Sequence, residues 1–238
     1  MKLSIIIPTL NEEKQVPLLL ESIKKQNFND YEIIVADANS KDKTISIVKK
    51  YNCKITAGGL PSKGRNNGAK IAKGDLLLFL DADVILPKDF IKKTLKEFDK
   101  RKLKIASFFL IPQEKNKITR FFFNFFYNWP VFFFQQVIAH GAMGILIDKD
   151  IFNSIKGFDE KIKLSEDHDL IRRAKRLGKF GIIKSSKIFI STRRFQTDGW
   201  FKTYFKFILC EFHMIFIGPV KKDIFKYKFD HYSQDKKN

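Results

Sequence analysis

Leu76-Leu77-Leu78-Phe79-Leu80-Asp81-Ala82-Asp83 sets five apolar residues, with no polar face, directly ahead of two carboxylates spaced two apart. An uninterrupted run of that length reads as a strand buried on both sides, as in a parallel sheet covered by helices. Two earlier stretches repeat the arrangement. Ser4-Ile5-Ile6-Ile7 leads to Pro8-Thr9-Leu10-Asn11-Glu12-Glu13, and Glu32-Ile33-Ile34-Val35-Ala36 leads to Asp37-Ala38-Asn39-Ser40. Between them lie helical patterns at 17–26, 44–51 and 62–72, the first with a proline near its start. Strand and helix signals in alternation predict an α/β sandwich with right-handed crossovers and a mostly parallel sheet.

Each of the three strands carries acidic residues at its carboxyl end, the edge where open α/β sheets bind ligands. Gathering carboxylates there costs free energy unless a cation or ligand answers them. Mg²⁺ and Mn²⁺ take hard oxygen ligands and commonly use one or two carboxylates plus substrate phosphates. A divalent cation at Asp81-Ala82-Asp83 would suit a nucleoside diphosphate, whose leaving charge it stabilises.

Other motifs leave two readings open. Glu166-Asp167 opens a helix that runs from acidic to basic, where capping and the helix dipole favour carboxylates. The alternative is a general base that removes the proton of an attacking hydroxyl. Arg65-Asn66-Asn67-Gly68 follows Gly58-Gly59 and Lys63. It lacks the spacing of a phosphate-binding glycine loop, but Arg65 can donate bidentately to an anion. Ser191-Thr192-Arg193-Arg194-Phe195 follows the apolar Ile188-Phe189-Ile190. Its arginines are either a surface pair or ligands for a diphosphate or acceptor phosphate. His140 and His168 lack partners at metal-ligand spacing and read as structural histidines.

Composition bounds the reading further. The 238 residues fit one substantial domain with an appendage, and the formal net charge is +19. Such a surplus suggests an anionic partner: nucleotide phosphates, an acidic membrane face or nucleic acid. Carboxylates at three strand ends would repel a phosphate backbone, so no nucleic acid is expected. Cys53 and Cys210 fit no metal or redox spacing and read as reduced thiols in a cytosolic setting. The residues after Met1 do not read as a secretory leader, and the two most apolar regions, 121–147 and 200–220, are interrupted by polar residues.

In order and spacing, these stretches resemble a family-2 glycosyltransferase of the GT-A fold. The resemblance is carried by residues 4–13, by Val35-Ala36-Asp37 with Ser40, Asp42 and Thr44, and by Arg65-Asn66-Asn67-Gly68 with Ala72-Lys73-Gly74-Asp75. Phe79-Leu80-Asp81-Ala82-Asp83, Gly157-Phe158-Asp159-Glu160 and Glu166-Asp167 complete it. It covers roughly residues 3–195 and implies a three-layer α/β/α sandwich. It also implies roles: Pro8, Thr9 and Glu12 lining a nucleoside pocket, Asp37 meeting the base, and Arg65 and Asp81 near the nucleotide. Asp83 would bind Mn²⁺ or Mg²⁺, and Asp167 would be the base of an inverting transfer. Gly141 and Glu166 fall on the acceptor side, and Arg193 and Arg194 match an Arg-Arg-aromatic motif of a small single-domain branch. The second strand end departs from the family's usual Asp-Asp pair by having Ala36 before Asp37. The implied partners are a nucleoside diphosphate sugar and a glycan or lipid-linked acceptor, which receives the sugar on a hydroxyl or a lipid phosphate. A sugar-nucleotide pyrophosphorylase would want a glycine-rich signature near the first strand, which Pro8-Thr9-Leu10-Asn11 is not.

Residues 1–196 thus form the expected catalytic domain, and 197–238 a basic helical tail. Along 199–218, Lys202, Lys206 and His213 share one stripe, with aromatic and aliphatic residues over most of the remaining surface and Glu211 opposite. That pattern predicts an interfacial helix at an anionic membrane on the cytoplasmic side, or a helix packed on protein.

Overall fold

Period-two alternation divides the buried strands between two cores. In a computed structural model, which describes residues 2–114, 116–135, 141, 143–221 and 224, β1 (Leu3–Thr9) sits between β2 (Tyr31–Asp37) and β4 (Leu76–Leu80). Ile5, Ile7, Leu76, Leu78 and Leu80 face one core with α1 (Val16–Lys24), α2 (Thr44–Lys49) and α4 (Phe90–Lys100). Ile6, Leu77 and Phe79 face the other, with α3 (Pro61–Ile71), α7 (Lys149–Ser154) and α8 (Glu166–Ala174). Alternate side chains of one strand point to opposite faces, so a run apolar at every position must be covered on both. The result is the expected three-layer sandwich.

With β3 (Lys54–Ala57), β5 (Val84–Ile85), β6 (Ile105–Pro112), β7 (Gly144–Asp148) and β8 (Phe180–Ile190), the sheet has the order β3-β2-β1-β4-β7-β6-β8-β5. The pairs β3–β2, β2–β1, β1–β4 and β6–β8 are parallel; β7 runs against β4 and β6, and β5 against β8. Six strands therefore share one direction and two oppose it. The strand expected at 188–190 is the end of a longer one, whose pairing with β6 shifts register between Phe108 and Phe109.

Gly68 lets α3 lie close on β1: a Cβ there would stand 2.4 Å from Ile6 Cγ2. This close approach brings Arg65, one turn earlier in α3, over the carboxyl ends of the strands. The Phe-rich stretch forms α5 (Lys117–Phe123), a π-helical stretch (Asn124–Asn128) and α6 (Trp129–Phe133). Towards the carboxyl end come α9 (Arg193–Asp198), a turn at Gly199 with φ 87°, and α10 (Trp200–Phe216). Cys210, Met214 and Val220 pack with Leu164, so α10 lies against the protein along one narrow face. Among the described residues no helix is long and apolar enough to cross a membrane. His140, Lys222, Lys226 and Lys228 lie outside the described residues, as do the side chains of Arg194 and Glu211.

Candidate active site

The loops after β1 and β2 are fastened to each other. Three successive backbone N–H groups, of Asn11, Glu12 and Glu13, donate to Ser40 Oγ, Thr44 Oγ1 and Asp42 Oδ2 at 2.9, 2.8 and 3.0 Å. Asn11 and Asn39 hold left-handed backbones with φ 53° and 63°, a conformation asparagine tolerates better than most residues. Ser40, Asp42 and Thr44 belong to the second motif, yet nothing local in the sequence says that their partners lie about thirty residues upstream.

Asp37 is buried, and hydrogen bonds orient both of its oxygens. Thr9 Oγ1 donates to Oδ1 at 3.0 Å, Ser40 Oγ to Oδ1 at 2.6 Å and Ser40 N to Oδ2 at 2.9 Å. Pro8 stands beside Thr9 at the same strand end, opposite Ala36. Gly58, at the end of β3, comes so near that a Cβ would sit 2.5–2.7 Å from the backbone of residues 36–38.

Arg65 joins the two halves of the site. Its Nη2 donates to Asp81 Oδ1 at 2.7 Å and its Nη1 to Glu166 Oε1 at 2.5 Å, linking the end of β4 to the start of α8. Its side chain is only 9% exposed, and its guanidinium lies 5.4 Å from the centre of the Phe158 ring. Asn66 fixes that ring's backbone by accepting from Phe158 N and donating to Phe158 O, each at 2.9 Å. Burial alone would loosen the Arg65 proton, but the flanking carboxylates stabilise the guanidinium and hold its pKa above the ordinary value.

Asp167 lies beside this bridge. His168 N donates to its Oδ1 at 2.9 Å, and His168 Nε2 is 3.8 Å from the same oxygen. Burial raises its proton affinity, Asp81 adds to the rise, and His168 and Arg65 oppose it. Glu166 is raised likewise, by burial first and by Asp167. Ser165, at the start of α8, has φ 61° and makes no side-chain cap to the helix. Gly141 is buried, and a Cβ on it would stand 2.4 Å from Ile171 Cδ1 of α8.

Across the site, Arg193 at the start of α9 donates from Nη2 to Glu12 Oε1 at 2.6 Å and stands 3.3 Å from Asp83 Oδ2. Glu12 Oε2 is buried without a hydrogen-bond partner among the described residues. Burial pushes the Glu12 carboxyl from 4.5 up to about 7; Arg193 pulls it down, and Asp83 and Asp81 push it further up. Holding it ionised therefore costs stability: the contribution is complete below pH 4.5 and is lost as pH rises through about 7. Wild type is expected to lose up to about 3 kcal/mol more than Glu12→Gln between pH 5 and 8.5. Parallel urea unfolding curves for the two proteins across that range would reject the assignment.

A cation suits the Asp83 carboxylate, beside which the structure already holds a guanidinium. Among the described residues no group of three or more His, Cys, Asp or Glu side chains forms a metal cage. The protein would supply one or two oxygens and the ligand's phosphates the remainder, as hard divalent cations accept. The sequence expectations for Thr9, Glu12, Asp37, Arg65, Asp81, Asp83, Glu166 and Asp167 fall on one sheet edge. Arg193 joins them, held by Glu12 from the far end of the chain.

A profile of glycosyl transferase family 2 matches residues 4–152, more than half of the sequence, and the chain belongs to that family. It is 40% identical over 102 residues to the poly(ribitol-phosphate) beta-N-acetylglucosaminyltransferase TarS of Staphylococcus aureus, covering 39% of this chain and 18% of TarS. It is 38% identical over 91 residues to the GalNAc(5)-diNAcBac-PP-undecaprenol beta-1,3-glucosyltransferase of Campylobacter jejuni, covering 34% of this chain and 29% of that one. The aligned stretches are thus less than a third of either relative. Among solved structures, TarS 1–349 of S. aureus in complex with UDP-GlcNAc superposes with a TM-score of 0.68 at 22% identity, over 90% of this chain and 67% of that one. The mannosyltransferase PcManGT of Pyrobaculum calidifontis, in complex with GDP-Man and Mn²⁺, gives 0.72 at 17% identity, over 94% and 67%. These likenesses establish the GT-A fold.

Proposed function

We propose that this chain transfers a sugar from a nucleoside diphosphate to an acceptor hydroxyl with inversion at the anomeric carbon. The observation that supports the reading is the Arg65 bridge, which sets Asp81, the carboxylate proposed to meet the nucleotide, across one guanidinium from the Glu166-Asp167 pair. The acceptor oxygen forms a bond to the anomeric carbon, the bond from that carbon to the diphosphate breaks, and the acceptor proton passes to Asp167. A base whose proton affinity burial has raised is suited to that task near neutral pH. Asp37, Thr9 and Pro8 form the floor for the nucleoside, and Glu12 faces its ribose. Arg193 is within reach of diphosphate oxygens, which arginine can hold bidentately.

Asp83 is the residue that would hold Mn²⁺ or Mg²⁺. Once bound, the ion offsets the negative charge that gathers on the departing diphosphate. The acceptor is a glycan or a lipid-linked chain at the cytoplasmic side of an anionic membrane. This is supported by the basic surplus of the chain and by relatives named for polymer and undecaprenol-linked acceptors.

Calorimetric titration with UDP-, GDP- and dTDP-sugars in the presence of Mn²⁺ tests the donor class. One of them should bind, and Asp83→Ala should weaken that binding by roughly tenfold or more, the scale on which lost ligands act. Equal affinity in wild type and Asp83→Ala would remove the metal from Asp83.

A further inference from the structure

Two helical faces expose apolar side chains in rows. Phe121, Phe125, Trp129 and Phe133 follow one another at intervals of four and are 50% to 68% exposed. Phe121 stacks on Phe125 and Trp129 on Phe133, forming one aromatic ridge along α5, the π-helical stretch and α6. On α10, Phe205, Leu209, Phe212 and Phe216 are 41% to 77% exposed. At about 100° per residue they fall within roughly 60°, and the buried Thr203, Cys210 and Met214 lie on the opposite side. The two faces are joined through α9, whose Phe195 meets Phe123 of α5 edge-on at 6.3 Å before the chain continues into α10.

The charge around these rows selects their partner. Lys117 and Arg120 lie in α5 and Lys202 and Lys206 in α10, outnumbering Glu211 of α10, Glu114, which accepts hydrogen bonds from Thr192 and Gln196, and Asp198 at the end of α9. Lys184 Nζ lies 4.4 Å from the centre of the Phe132 ring beside the ridge. In a twofold dimer such a face would meet itself and bring like charges together. An anionic bilayer answers both features, taking up the aromatic rows at the level of its headgroups and pairing with the basic rim.

The α10 helix and the residues after it are also tied to the segment that leads into α8. Ser165 Oγ and Cys210 Sγ are 3.0 Å apart, Leu164 pairs with Val220, and Lys163 N donates to Val220 O at 2.8 Å. Glu166 and Asp167 follow directly. We propose that the exposed faces of α5–α6 and α10 seat this protein on an anionic bilayer, and that α10 with the residues after it holds segment 163–165, which leads into α8, against that seat. The hydroxyl that reaches Asp167 is then one presented at the membrane surface, a conclusion that rests on the glycosyl-transfer reading.

The test is flotation of the full chain with vesicles of phosphatidylcholine, with and without phosphatidylglycerol. Wild type should float with the acidic vesicles at least about tenfold better than with the neutral ones. Phe125→Ser/Trp129→Ser and Phe212→Ser/Phe216→Ser should each lower the bound fraction several-fold, with thermal melting and donor titration unchanged because the replaced side chains are exposed. No flotation of wild type, or undiminished flotation when all four changes are combined, would overturn the proposal. So would sedimentation showing that wild type is a dimer which the four changes dissociate. Flotation that persists in a protein binding no nucleotide sugar would leave the docking surface standing and remove the transfer reading instead.

Discussion

Asp167→Asn keeps the fold and donor affinity of the wild type and loses about 10²- to 10⁴-fold in kcat, the range that a positioned general base supplies. Asparagine is isosteric with the carboxylate and retains an oxygen for the N–H of His168, which donates to Asp167 at 2.9 Å. It has no lone pair basic enough to take a hydroxyl proton. Because burial raises the proton affinity of Asp167, the wild-type rate should fall as pH drops through that raised value, and this acid limb should vanish in the variant. Removing a buried carboxylate also removes its desolvation cost, so the variant should melt no lower than wild type. Steady-state kinetics with a donor titration decide the matter: a kcat within about tenfold of wild type would dismiss Asp167 as the base.

Arg65→Met should have the largest effect on the fold. The side chain is 9% exposed and answers two carboxylates from separate nitrogens, Asp81 through Nη2 and Glu166 through Nη1. Methionine fills a similar volume but leaves both charges unanswered, and breaking a buried pair on one side costs about 3–5 kcal/mol. With the guanidinium gone, the buried Glu166 carboxyl would bind a proton more readily in the folded state, since Arg65 is what opposes the rise caused by burial. The variant should therefore be relatively more stable at low pH and lose that stability as pH rises. Arg65→Lys should not rescue it, because one ammonium on a flexible stem does not reproduce a planar fork serving two elements. Urea unfolding at two pH values tests this. A loss under about 1 kcal/mol, independent of pH, would mean that the bridge contributes little.

The sheet and half of the site were legible because burial on both faces leaves an unmistakable mark. Strands β1, β2 and β4 are apolar at nearly every position, and polar residues begin where each strand leaves the core. The acidic strand ends followed directly. Residues 105–133 were not legible, since a run such as Phe121-Phe122-Phe123 has no period that separates a buried helix from an exposed ridge. For Glu166-Asp167 local sequence leaves capping and catalysis both open, since acidic residues suit any first helical turn. The left-handed Ser165 and the reach of Arg65 across 101 positions are tertiary facts. Arg193 was recognised as a phosphate ligand or a surface residue. Its hydrogen bond to Glu12, 181 positions away, has no local signature.

That last contact gives ligand binding the character of ion exchange. Glu12 and Asp83 share the Arg193 guanidinium, so a divalent ion arriving alone, on the proposed reading, would compete for a carboxylate that is already compensated. A nucleotide arriving with the ion offers Arg193 new anionic oxygens in return. On the proposed reading the swap would leave charge more nearly balanced than either half, and would favour joint uptake of ion and nucleotide over a preloaded metal.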